Sequence, residues 1–150
     1  MGLGVGREMK RVAGTLLSGV VVVSLLGVPA QARTKTTTRG NVSDKTMEGF
    51  AGYTFIGKTR PSNRNDTIVF QFKRVGADKW RKFKPGSYEG WNAFQAFDKP
   101  RDRINRNHGW KIWFISSVPP GRWILRAKFL QQDDLVSSAV KRWVRVGPGD

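Results

Sequence analysis

The stretch that most constrains this chain is RWILRAKF, residues 122–129, where cations and large apolar side chains alternate. Successive side chains of a strand point to opposite faces, so such alternation buries one set and wets the other. Trp123, Leu125, Ala127 and Phe129 point one way, and Arg122, Ile124, Arg126 and Lys128 the other. TIVFQFKR, 67–74, repeats the pattern with Ile68, Phe70 and Phe72 on one face. VKRWVRV, 140–146, sets Val144 and Val146 against Lys141, Trp143 and Arg145. GYTFIGKTRP places Tyr53 and Phe55 on one side, and GWKIWFIS, 109–116, is strand-like but apolar on both faces.

Turn chemistry separates these segments. SNRND follows Pro61, VGAD leads into a short partner strand KWRKF, and QQDDLVSS is a loop. In SVPPG, 117–121, the second Pro has no N–H to give a ladder and ends pairing there. No long amphipathic helix and no internal repeat is present. The pattern predicts an all-β, antiparallel sandwich with apolar flanks between two sheets and cationic flanks outside. Residues 84–108 are less regular. Trp91, Phe94 and Phe97 fall at i, i+3 and i+6, as in one or two helical turns or an aromatic cluster over an edge of the core.

The first 32 residues are of another kind. Arg7, Lys10 and Arg11 precede an uncharged, mostly apolar run from Val12 to Val28, then Pro29 and the small-x-small triplet Ala30-Gln31-Ala32. This order predicts a secretory signal peptide over 1–32, cut after Ala32, and hence a secreted, extracellular protein. An uncleaved anchor is the alternative. Its run of 17 residues is at the lower edge of what spans a bilayer and is diluted by Gly and Ser. After cleavage no stable membrane span is expected. Residues 33–48 are polar and threonine-rich and are expected to be a flexible lead-in to a domain over 49–147.

The chain has no Cys and a formal charge of +16, and cleavage would leave 24 cations against 10 acids, a net +14. Disulfide-stapled mini-scaffolds are excluded, so an apolar core must hold the fold. Six Trp and nine Phe exclude a disordered basic tail. The charge points toward polyanionic partners.

The C-terminal third, GWKIWFISSVPPGRWILRAKF…VSSAVKRWVRV, resembles the end of small immunoglobulin-like or fibronectin type III-like domains of exported bacterial proteins, many of them actinobacterial. Pro119-Pro120-Gly121, Trp123, Arg126-Ala127, Phe129, Ser137-Ser138 and Val144/Val146 stand where those domains carry similar residues. FIGKTRP…TIVFQFKRVGADKW fits their first hairpin, and the likeness covers most of residues 53–146. It implies an immunoglobulin-like sandwich serving as spacer, adhesion or binding module, and a fold alone does not choose among these. Segment 84–108 departs from the pattern.

Catalytic chemistry finds little footing, and no enzyme activity, cofactor or metal is expected. His108 is the only histidine. Glu89 with Asp98 or Asp102 is the one carboxylate pair worth testing for glycoside chemistry, and surface ion pairing with Lys99, Arg101 and Arg103 accounts for these acids better. Asp133-Asp134 falls short of the six or more oxygens a calcium site needs. Serines occur without a G-x-S-x-G elbow. Two candidate surfaces remain. Arg122, Arg126, Lys128, Lys141 and Arg145, with Trp143 among them, would share one outer face if their strands are neighbours, and would hold an anionic polymer or a cell-envelope component; Trp113 would join them if Ile112 and Phe114 point inward. A solvated face whose charge blocks edge pairing is the alternative. Trp91, Phe94 and Phe97 form a candidate contact loop for an extracellular protein, with core packing as its alternative. The oligomeric state is left open. The leader reading has a direct check: expressed in an exporting bacterium, the protein is expected in the medium with Arg33 as its first residue by mass spectrometry, and recovery of the intact apolar run in the membrane fraction would refute it.

Overall fold

The computed structural model describes residues 32–149 except Tyr88, Asp98 and Lys99. The expected signal peptide therefore lies outside the described residues, up to Gln31. Eleven strands follow: β1 (Thr37–Val42), β2 (Thr46–Met47), β3 (Gly52–Arg60), β4 (Thr67–Arg74), β5 (Arg81–Lys82), β6 (Lys84–Pro85), β7 (Ala93–Ala96), β8 (Arg101–Arg103), β9 (Gly109–Ser117), β10 (Gly121–Phe129) and β11 (Ser138–Val146). No helix occurs among the described residues.

The strands form two sheets of a β-sandwich. One runs β1-β3-β9-β7-β6 and the other β2-β11-β10-β4-β5, with β8 also paired to β4. The long pairs are antiparallel, as alternation and short turns require, but β2 pairs β11 and β6 pairs β7 in parallel. The sheets are thus mixed rather than wholly antiparallel, because two-residue edge segments reached through longer connections escape the hairpin rule. β3 and β4, expected as a hairpin, lie in different sheets, joined through a cis Arg60–Pro61 peptide.

Alternation places the core as expected. Ile68, Phe70 and Phe72 of β4 and Leu125, Ala127 and Phe129 of β10 are fully buried, as are Phe55 of β3 and Phe114 of β9. Their rings form one connected aromatic stack across the two sheets. Phe55 meets Trp110 at 5.3 Å between centroids, Trp110 meets Phe70 at 5.7 Å, and Phe83 links Phe70 to Phe94 at 6.1 and 5.6 Å. Most of these pairs are edge-on or tilted, the arrangement that the ring quadrupole favours.

Residues 33–48 are not a flexible lead-in: they carry β1 and β2. Threonine-rich sequence reads as linker by polarity, yet β-branched Thr suits a strand, and its hydroxyl can be satisfied inside. Thr38 Oγ1 lies 3.0 Å from Thr59 Oγ1 and 2.7 Å from Ser138 Oγ. Thr36 Oγ1 donates to Val136 O at 2.6 Å and lies 2.7 Å from Ser138 Oγ. Before β1, the Thr34 N–H donates to Asp134 O at 2.8 Å. The Trp110 Nε1–H completes the series, donating to Thr59 Oγ1 at 3.2 Å. A line of hydroxyls therefore ties β1 and β3 in one sheet to β11 in the other.

The indole of Trp110 needs room that only glycine leaves. Gly40 and Gly57 are register partners on β1 and β3, and Gly57 is also the partner of Trp110. A Cβ on Gly57 would collide with Trp110 Cζ2 and with the Arg39 carbonyl, and one on Gly40 would sit 2.7 Å from the Ile56 carbonyl. Backbone carbonyls cannot move aside as a side chain would. Gly57→Ala is expected to cost about 1–3 kcal/mol through overpacking, seen as a fall of roughly 4–15 °C in Tm. Gly52→Ala, where a Cβ meets nothing within 4 Å, is the matched control and should leave Tm nearly unchanged.

Candidate polyanion-binding face

The antiparallel register of β10 and β11 sets Arg122 opposite Arg145, Ile124 opposite Trp143, Arg126 opposite Lys141 and Lys128 opposite Ala139. Opposed residues share a face, so all six sequence-predicted site residues project from the outer side of one sheet. β4 extends it, with Lys73, Gln71 and Val69 opposite Ile124, Arg126 and Lys128. Lys82 of β5 stands opposite Gln71, and Arg101 of β8 opposite Val69. No position of β4, β5, β10 or β11 is Asp or Glu.

Two rungs of this ladder are of like charge, Arg122 with Arg145 and Arg126 with Lys141. Directly opposed like charges destabilise a pair of strands. Part of that repulsion is managed locally. Arg126 donates from both Nε, at 2.9 Å, and Nη2 to Oε1 of Gln71, its partner on the other side. Its guanidinium also lies 3.9 Å from the centroid of the Trp80 ring. Burial pulls the Arg126 pKa below its ordinary value, through desolvation of the charged form. The group stays a cation at neutral pH and is held in one place.

Trp80 was not legible as a site residue. It belongs to KWRKF, read as a strand, but only Arg81–Lys82 pair with β4. Trp80 falls one step outside, opposite Lys73, and its ring covers the face. Lys73 Nζ is 5.2 Å and Lys141 Nζ 5.8 Å from the same ring. One indole thus gathers three cations. The available signal was a Trp set between Lys79 and Arg81 immediately after a hairpin turn. Trp143, by contrast, is 57% exposed and lines a shallow hollow with Lys45, Arg122 and Arg145. Trp113 points outward, as Ile112 and Phe114 point in, but it does so from β9 in the other sheet and does not join this face.

Trp91, Phe94 and Phe97 do not form one surface. Phe94 sits in β7 and is fully buried, its ring 5.2 Å from that of Phe72. Trp91 and Phe97 flank the strand and are 71% and 55% exposed. The i, i+3, i+6 spacing misleads here, because the segment is a four-residue strand and not a helical turn. Asp98, one of the carboxylates considered with Glu89, lies outside the described residues. Asp102 accepts the backbone N–H groups of Arg103 and Lys111, both at 2.7 Å. His108 Nδ1 lies 3.0 Å from Ser62 Oγ in the turn before β9.

No family model and no curated protein matches the chain. Among solved structures it is similar to the human F-spondin reeler domain, at 13% identity and a TM-score of 0.43, over 81% of this chain and 99% of that one. A second structure of that human domain gives 15% identity and a TM-score of 0.41, over 76% and 93%. The class 5 fimbriae chaperone CfaA gives 9% identity and a TM-score of 0.45, and the chain spans 75% of its own length and 57% of the chaperone's.

Proposed function

We propose that this chain is an exported, non-catalytic immunoglobulin-like module that binds an anionic polymer of the cell envelope or its surroundings through the outer face of β4, β10 and β11. The observation that carries this reading is the pair of like-charged rungs, Arg122 with Arg145 and Arg126 with Lys141, on strands without a carboxylate. Solubility alone calls for a net charge of about 2–8 on a small domain, and interspersed signs serve it well. A polymer with regularly spaced negative charge relieves the repulsion that the register creates, and it does so without any induced change in the sheet. The Trp80 indole and Gln71 hold Arg126 in its binding geometry before the ligand arrives, which lowers the ordering cost of association.

Counterion release gives the test. Binding to a single-stranded polyanion that engages six cations should show log K falling against log salt with a slope of about −4. Arg126→Ser with Lys141→Ser should flatten that slope by about 1.4. Trp80→Ala, which frees Arg126 from its stack, should weaken binding severalfold while leaving the slope near its original value. Binding that is indifferent to salt would rule the reading out.

A second reading keeps the same fold but places the contact on a protein partner. It is favoured by one observation, the exposed Phe50–Trp91 pair, in edge contact at 4.7 Å between centroids. Trp91→Ala would then abolish capture of the partner from culture medium while Arg126→Ser with Lys141→Ser would not.

A further inference from the structure

A second charged recess lies at the far edge of the same sheet, where β8 leaves β4 and approaches β9. It encloses about 910 Å³ and is lined by Thr67, Arg101, Asp102, Arg103, Lys111 and Trp113, among others. Its components have three distinct chemistries. Arg101 and Arg103 are exposed and stand on the same side of β8, opposite Val69 and Thr67. Trp113 is 53% exposed, with Lys111 Nζ 5.0 Å from its ring centroid. Asp102 is the acid between the two arginines, and each of its oxygens already accepts one backbone N–H. Those bonds fix the carboxylate and leave further lone pairs open to a donor.

We infer that this recess binds a unit of an acidic polysaccharide. The apolar face of a sugar ring stacks on Trp113, as sugars do on exposed indoles. A carboxylate or sulfate on the ring, or on its neighbour, takes the forked N–H groups of Arg101 or Arg103. A ring hydroxyl donates to Asp102. The acid is what separates a polysaccharide from a nucleic acid. A uronate or sulfated sugar brings a free hydroxyl beside its anion for Asp102 to accept, whereas the deoxyribose-phosphate backbone offers none. Thr67 and Arg101 border the basic face through β4, but Trp113 and Lys111 stand on β9 in the other sheet, so Trp113→Leu separates this recess from that face.

The test uses the chain over 33–150 and three probes: a galacturonate hexamer, a neutral galactose hexamer and a single-stranded DNA dodecamer. Calorimetry at low salt should give binding of the galacturonate and little of the neutral sugar. Trp113→Leu should weaken galacturonate binding about tenfold, the scale of one lost stacking contact. Arg101→Ser with Arg103→Ser should do the same, while Arg126→Ser with Lys141→Ser should leave it within about twofold and lower DNA binding instead. Trp113 is an exposed side chain, so Trp113→Leu should keep the far-UV spectrum and Tm, and it alone suffices if the double arginine variant misfolds. Galacturonate binding unchanged by Trp113→Leu overturns the inference. So does equal binding of the neutral hexamer, or DNA binding that Trp113→Leu removes.

Discussion

The packing of Trp110 against two glycines is the contact on which the two sheets depend. Its indole rests over Gly40 and Gly57, its N–H reaches Thr59, and its ring edges meet Phe55 and Phe70. It therefore joins the aromatic stack of the interior to the hydroxyl line that binds β1 to β11. Close-packed interiors transmit a misfit rather than absorb it. Displacing this ring would disturb both the strand pairing of β1 with β3 and the contact between sheets.

The face built on β10 and β11 follows from the same alternation. Burying Trp123, Leu125, Ala127 and Phe129 leaves Arg122, Arg126 and Lys128 no choice of side. The turn that sets Arg126 opposite Lys141 then decides that like charges meet. Arg126 is the centre of this face, since a Gln on one flank and the Trp80 indole against it hold the guanidinium in place. An arginine so held presents donors of fixed direction, which a lysine on a flexible stem does not.

Much of the fold was legible in the sequence, for a physical reason. A period of two is a direct record of one buried flank, so β3, β4, β10 and β11 could be placed, along with the pairing of β10 with β11. β1 was hidden because its inward positions are Thr38, Gly40 and Val42, and a hydrophobicity pattern does not register a hydroxyl satisfied by another hydroxyl or a glycine beneath an indole. β7 was hidden because Ala93, Phe94, Gln95 and Ala96 are all buried, which erases the alternation. The candidate face was legible as cations on two strands, but the part played by Trp80 was not. It stands over Arg126 just ahead of β5, which starts only at Arg81, and nothing local in KWRKF records where pairing begins.

The joining of β1 to β11 has a mechanical consequence. Thr34 pairs in parallel with Leu135, so the two strands start at the same end of the sandwich and run side by side. Thr36, Thr38 and Asn41 on one are bonded to Val136, Ser138 and Arg142 on the other. Tension that draws the chain out ahead of β1 and beyond β11 pulls these strands past each other lengthwise. Every bond of the row then bears load together, in shear, and none can be peeled open ahead of the next. Terminal strands that run parallel in this way resist stretching better than terminal strands that lie antiparallel.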